Sequence, residues 1–456
     1  MLKIKYLLNQ STMKRKIYIL VILLSVVLAA NSQFVTKPLN YPISGDQYLP
    51  IWISPVDIEH VWVGTMHFTS TWDYDTYTYA VHSNDGGETW IFDSIPVPGQ
   101  PVISNVCALD ENTCYYAFTD LAAGNGSIWK TSDGGAAWIQ KTTTQFQGGY
   151  LDFYHAFNAN EGVAVGDPNG GYFEIYRTTD AGDTWIRIAQ GDIPSNDPDE
   201  YAITDAFSTY GDIIWFSTNK SHCYKSIDQG QHWTVSTVPT VMNYDFTSVA
   251  FANPMDGIFF GLGYSSQFYR TSDGGSTWAI DSLPNGDVVW NADGVNGLDG
   301  GLVISSWDSI TGFVKVYLTP DFFSTLIVLD SNLNANANGI RFSDPQTGWL
   351  AGNSNILKYN GILTSVYEAA NSPERLSIMP NPSSYEALIK IPASLDSKSL
   401  QLLVINMSGK QEEVLNIPGS TGWTKLNASN YPNGVYLIEI LSGNRIVAQE
   451  RWVVNH

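Results

Sequence analysis

"SNDGGETW", residues 83–90, looks at first like a reactive site: two acids, two glycines, two hydroxyls and a tryptophan in eight residues. It returns as "TSDGGAAW" from Thr131, "TTDAGDTW" from Thr178, "SIDQGQHW" from Ser226 and "TSDGGSTW" from Thr271. A worn copy, "TPDFFSTL", begins at Thr319. The starts lie 48, 47, 48, 45 and 48 residues apart. A fixed period of that size marks a repeat architecture.

A second element precedes each copy: an apolar run, a turn and another apolar run. It reads "LPIWISPVDIEHVWVGT" from Leu49 in the first unit and "NGIRFSDPQTGWLAGN" from Asn338 in the last, and it occurs seven times. Each unit therefore reads as four short strands, two around the first turn, one entering the octapeptide and one leaving it. Seven such units predict an all-β, seven-bladed β-propeller over residues 33–363. The last unit stops at "ILKYNG" (356–361), so "QFVTKPLNYPI" (33–43) is expected to supply its outer strand.

The octapeptide resembles the BNR, or Asp-box, repeat, Ser/Thr-x-Asp-x-Gly-x-Thr-Trp, over roughly residues 50–361. The unit "GVAVGDPNGGYFEIYRTTDAGDTW" resembles the photosystem assembly factor-like branch, which implies a non-catalytic binding propeller. The chemistry of the box favours a scaffold role. Asp85 can accept backbone N–H groups within the turn. Gly87 can take positive φ, and Trp90 can bury its ring. A site is built once, whereas this device recurs. The same roles are assigned to Asp133, Gly135 and Trp138; Asp180, Gly182 and Trp185; Asp228, Gly230 and Trp233; and Asp273, Gly275 and Trp278.

After a linker at 364–375 the period disappears. Residues 376–456 carry Pro380-Asn381-Pro382, Gly409-Lys410, Asn433-Gly434-Val435-Tyr436 and Arg451-Trp452-Val453-Val454. As a set these resemble the type A C-terminal sorting domain of the type IX secretion system, with Arg451 where the family usually has Lys. The resemblance implies a small Ig-like β-sandwich, the type IX machinery as a partner, and delivery outside the cell or onto its surface. The N-terminus fits that route. "KRK" (14–16) and the apolar run 17–30 read as a signal peptide, residues 1–32, cleaved before Gln33. Residues 1–12 form an upstream extension if translation starts at Met13.

Forty-four acids against 23 bases give a net charge of -21. Such a surface repels phosphates and anionic lipids, so nucleic acid and membrane partners are set aside. It suits an extracellular monomer and leaves calcium open, but no cofactor or metal-ligand spacing is read. Of the three cysteines, Cys107 and Cys114 flank a turn, and export permits a disulfide between them.

Two functions remain. A sialidase needs three convergent arginines. The repeats hold only Arg177, Arg187, Arg270 and Arg341, so that enzyme is rejected. Another glycoside hydrolase would need a carboxylate pair, with Asp120, Asp167 and Asp192 as candidates. The favoured expectation is a non-catalytic binding protein for glycan or envelope polymer. Its ligand residues would be Trp72, Tyr74, Tyr77, Tyr150, Tyr201, Tyr244, Trp290 and Trp307, on the loops opposite the boxes. His155 and Asp205 occupy equivalent slots two residues before Phe157 and Phe207, and they are read as satisfied structural groups.

Overall fold

In the computed structural model each octapeptide closes a hairpin between the third and fourth strands of a sheet. The structure describes residues 33–41, 47–68, 78–239, 246–263, 265–308, 310–333, 335, 339–363, 374–391, 400–406, 410–417, 422–442 and 445–456. Among these residues there is no α-helix. The chain divides into two compact units at Leu363/Thr364.

The first unit contains seven four-stranded antiparallel sheets. In the first sheet, Gln47–Pro55, Val61–Phe68, Tyr79–Ser83 and Ile91–Ser94 follow one another in order. The next five sheets repeat this meander. The seventh consists of Ile340–Asp344, Thr347–Ala351 and Asn355–Tyr359, and its outer place is taken by Phe34–Pro38. That strand runs antiparallel to the last one, from Phe34 opposite Tyr359 to Pro38 opposite Asn355. The first strand of each sheet packs on the next sheet, and the first sheet also touches the seventh. The approach is close: a Cβ at Gly339 would lie 2.3 Å from the Ile51 carbonyl oxygen.

The middle strands are buried runs, as in residues 114–119 and Thr347–Ala351, because each sheet is covered on both faces by its neighbours. The outer strands are short and carry exposed side chains, Ile139 and Ile186 among them. Short edges limit strand addition from outside.

Each box satisfies its own turn. Ser83 Oγ donates to Asp85 Oδ1 (2.9 Å) and accepts from Gly87 N (2.8 Å). Asp85 also accepts from Thr89 N (2.8 Å) and Thr89 Oγ1 (2.6 Å). Asp133, Asp180, Asp228 and Asp273 make corresponding bonds. Gly87 sits at φ +83°, a conformation that costs a side chain strain. The worn sixth copy keeps the turn, with Thr319, Asp321 and Thr325 in the bonding roles and Phe323 holding positive φ in the glycine's place. The tryptophans wedge between sheets: Trp90 meets Trp349 edge-on at 6.3 Å, and Trp138 meets Tyr116 at 5.4 Å.

The second unit has a five-stranded and a three-stranded sheet. One core runs from Leu376 and Ile389 through Leu402, Ile438 and Trp452. The Pro-Asn-Pro landmark is a latch onto the last strand. Asn381 Nδ2 donates to the Arg451 carbonyl (2.7 Å), and Asn381 Oδ1 accepts from Val453 N (2.8 Å).

Candidate functional site

The box turn rests on the turn between the first two strands: Gly86 N donates to the Glu59 carbonyl, and Gly134 N to that of Asn112. The opposite end of the sheets is formed by the starts of the first strands and the loops between the second and third. It exposes Tyr150, Tyr201, Phe246, Trp307 and Phe313, drawn from four successive sheets. The box end exposes Ile58, Tyr210, Ile227 and Met255. Trp290 is half-buried, its ring seated on Gly263 and 6.4 Å from that of Trp307. Of the expected ligand residues, Tyr150, Tyr201 and Trp307 therefore offer rings to solvent. Trp72, Tyr74, Tyr77 and Tyr244 lie outside the described residues.

The three candidate acids are dispersed. Asp120 braces its own loop, accepting from the backbone N–H groups of Ala122 (2.9 Å), Gln100 and Ala123 (3.3 Å each). Partial burial opposes its charge, but those bonds win and hold it below the usual carboxylate range. Asp192 lies beside the fourth box, 3.7 Å from His232 Nε2, and its carbonyl accepts from Trp233 N. Asp167 has a partner that the sequence reading missed. Burial pushes its carboxyl up to about 6. Burial, and then the charge of Asp167, push Asp152 well above the ordinary range. Asp152 is only 3% exposed and receives one long bond from Thr204 Oγ1 (3.4 Å).

The inner strands converge on a cavity of about 200 Å³. Arg341 Nη2 of the seventh sheet donates to Asp205 Oδ2 of the fourth at 3.0 Å. Asn105 of the second sheet also donates to Asp205, at 3.3 Å, while accepting from Tyr154 N at 2.9 Å. Asp293 of the sixth accepts from Phe342 N at 2.7 Å. Asp205 sits at φ +57° within a register shift between Ala202 and Phe207, which swings its carboxyl inward. Burial raises Asp205 and Asp293 to about 6 despite the nearby guanidinium, and holds the His155 imidazole down to about 4. His155 makes ring contacts with Phe157 and Phe207. No described residue hydrogen-bonds it, whereas Asp205 is paired with Asn105 and Arg341.

The other arginines are spent locally. Arg177 binds Gln229, Arg187 lies over Tyr172, and Arg270 pairs with Asp281. The expected Cys107–Cys114 disulfide is not formed, and all three thiols are free and buried. Cys107 stands opposite Tyr115, and Cys114 opposite Ala108. This one-residue offset puts the two sulfurs on opposite faces of the sheet. Among the described residues no three metal-ligating side chains gather, and no helix is long and apolar enough to cross a membrane.

Residues 377–455 match the secretion system C-terminal sorting domain family, and residues 120–244 match the photosynthesis system II assembly factor YCF48 family. The chain carries both domains. The photosystem II assembly lipoprotein Ycf48 of Synechococcus sp. (strain CC9902) is 24% identical over 45% of this chain and 56% of its own length. A xyloglucanase of Paenibacillus sp is 24% identical over 51% of this chain. This chain spans only 26% of that enzyme. A solved structure of YCF48 bound to D1 peptide is similar over 74% of this chain and 98% of its own, with a TM-score of 0.54 and 16% identity. That likeness concerns the fold, which is all-β and propeller-like. The type IX sorting domain at residues 377–455 points to secretion.

Proposed function

We propose that this chain is a secreted, non-catalytic binding propeller that recognises glycan or envelope polymer through the face opposite its boxes. The observation that carries this reading is the exposure of Tyr150, Tyr201, Phe246, Trp307 and Phe313 on that face. Rings stack on the apolar faces of sugars, and the acids and amides between them can bond hydroxyls. In support, the box aspartates are engaged inside their own turns, and the candidate acids Asp120, Asp167 and Asp192 serve three separate places. The seven sheets are read as seven blades closed by Phe34–Pro38, and the second unit as an Ig-like sandwich. A signal peptide at residues 1–32, a surface or released destination and a monomeric state complete the proposal.

The xyloglucanase relative favours one rival, a glycoside hydrolase, for which Asp152 and Asp167 would be the pair. Enclosure of Asp152 argues against it. A glycan array combined with an oligosaccharide-cleavage screen on the full chain separates the two. Binding without turnover, weakened by Trp307→Ala by about 1–3 kcal/mol, is expected. Turnover that disappears in Asp167→Asn would establish the enzyme instead, and capture of peptides but no glycans would overturn the ligand class.

A further inference from the structure

The channel cavity is distinct from the ring-bearing face. Its lining includes the turn-side residues Pro55, Ala108 and Asn296, which places it at the box end of the channel. Its charged groups are Asp205, Asp293 and Arg341; His155 and Cys107 are the other titratable groups facing it. Two carboxylates against one guanidinium leave one negative charge in excess. Arg341 pairs directly with Asp205, and although its charge also reaches Asp293, no described cation forms an ion pair with Asp293, so the excess is centred there. Asp205 and Arg341, though surrounded by protein, each keep 22% exposure, which opens into this cavity.

A second observation is independent of charge. His155 is half-buried in the cavity wall, and no described residue hydrogen-bonds its imidazole. A neutral imidazole offers one lone pair as an acceptor. The rest of the wall combines the rings of Trp52, Phe207, Phe251 and Phe342 with the polar groups of Ser54, Asn105, Ser208, Thr209 and Asn296. Ring faces attract cations and can pack along an alkyl stem, while the hydroxyls and amides of the wall can accept from an ammonium. An anion would meet the unpaired Asp293, and a neutral polyol would leave its charge unmatched.

We propose that this cavity is a binding site for an alkylammonium group, held by Asp293, with His155 as acceptor and the rings around its stem. The source is either a free amine or a lysine side chain entering from the box end.

The test uses the full chain with n-butylammonium, its neutral analogue n-butanol, and a lysine-containing pentapeptide blocked at both ends, followed by calorimetry and NMR. Butylammonium is expected to bind and butanol not. Asp293→Asn, which retains an oxygen for Phe342 N, should weaken binding about tenfold or more. Thermal unfolding checks that this variant is folded. In the unaltered chain, affinity should fall as pH drops from about 7.5 to 5, because Asp293 and Asp205 take up protons while His155 and the Cys107 thiol stay neutral. Binding of the peptide as well assigns a chain-borne ammonium; binding of butylammonium alone assigns a free amine. Equal binding of butanol, no binding of butylammonium up to about 10 mM, or an affinity that does not change with pH would overturn the site. None of these outcomes bears on glycan binding at the opposite face.

Discussion

Arg341 Nη2 lies 3.0 Å from Asp205 Oδ2, a bond that spans 136 residues of sequence and crosses the channel from the seventh sheet to the fourth. It ties together sheets that are not neighbours, so it resists spreading of the whole ring of sheets. Arg341→Met would strand Asp205 in a low-dielectric space. Loss of one partner of a buried pair costs roughly 3–5 kcal/mol. Both groups keep some exposure to the cavity, so about 2–3 kcal/mol is expected. Adding Asp205→Leu should restore much of the loss, since the stranded charge is then gone. Urea unfolding of the two variants checks this, and an unchanged midpoint for Arg341→Met would refute the strut.

The box turns give a second prediction. Asp85→Ala removes the acceptor for Ser83 Oγ, Thr89 N and Thr89 Oγ1, and should cost about 1–2 kcal/mol, like the loss of a capping side chain. Gly87→Ala places a side chain at φ +83° with its Cβ 2.9 Å from Lys37 Cγ, and should cost about as much through strain. Neither should change ligand affinity, because the box end is remote from the exposed rings. A folded Asp85→Ala protein that loses ligand at unchanged stability would reassign the box as a site.

The period of the octapeptide made the four-stranded sheets and their hairpin corners legible in the sequence. The channel network was not legible. Asn105, Asp205, Asp293 and Arg341 come from four repeats, and within its own repeat each is one polar residue of the first strand. Only the shared slot of His155 and Asp205 hinted at an inward polar ring. Asp152 was missed because it begins a strand beside the aromatic Tyr150, and its partner Asp167 ends the next. The cysteine error has a local cause. The inner strand shifts register between Ile103 and Asn105, and the turn leaves Ala108 rather than Cys107 facing Cys114. A single step in register reverses a side chain's face.

That register leads to a third prediction. Burial pushes the Cys107 thiol up to about 11 and raises Cys114 and Cys223 as well. Thiolate is the reactive form, so none should react with a thiol reagent in the native protein. All three should react after denaturation without reductant, and the intact mass should show no loss of two hydrogens. Only one reactive thiol in denaturant would mean that Cys107 and Cys114 had bonded, with a register other than the one described.

Acid dependence is the last prediction, and two sets of carboxylates oppose each other in it. Hydrogen bonds from Thr277 Oγ1, working against slight burial, hold Asp273 down to about 2, and Asp85 is lowered similarly by Thr89. Groups depressed in the folded state contribute stability above their unfolded value near 4, and that contribution is lost as pH falls toward 2. Asp167, Asp205 and Asp293 are raised by burial to about 6. Folding then favours their protonated forms, so they cost stability above about 6, and the cost is relieved as pH falls from there toward 4. The His222–Glu200 pair (2.9 Å) adds in the same direction, because the bond raises the histidine and its stabilisation fades as pH rises through that raised value. Discharging part of a net charge of -21 also eases repulsion on acidification. The unfolding temperature should therefore rise between pH 7 and about 4.5 and fall steeply below about 3. Asp293→Asn and Asp167→Asn should each flatten the upper limb while leaving the lower one in place. A midpoint that is highest at pH 7 and declines steadily with acid would show that the buried carboxyls are not raised, and the enclosure described for the channel and for Asp152–Asp167 would then be wrong.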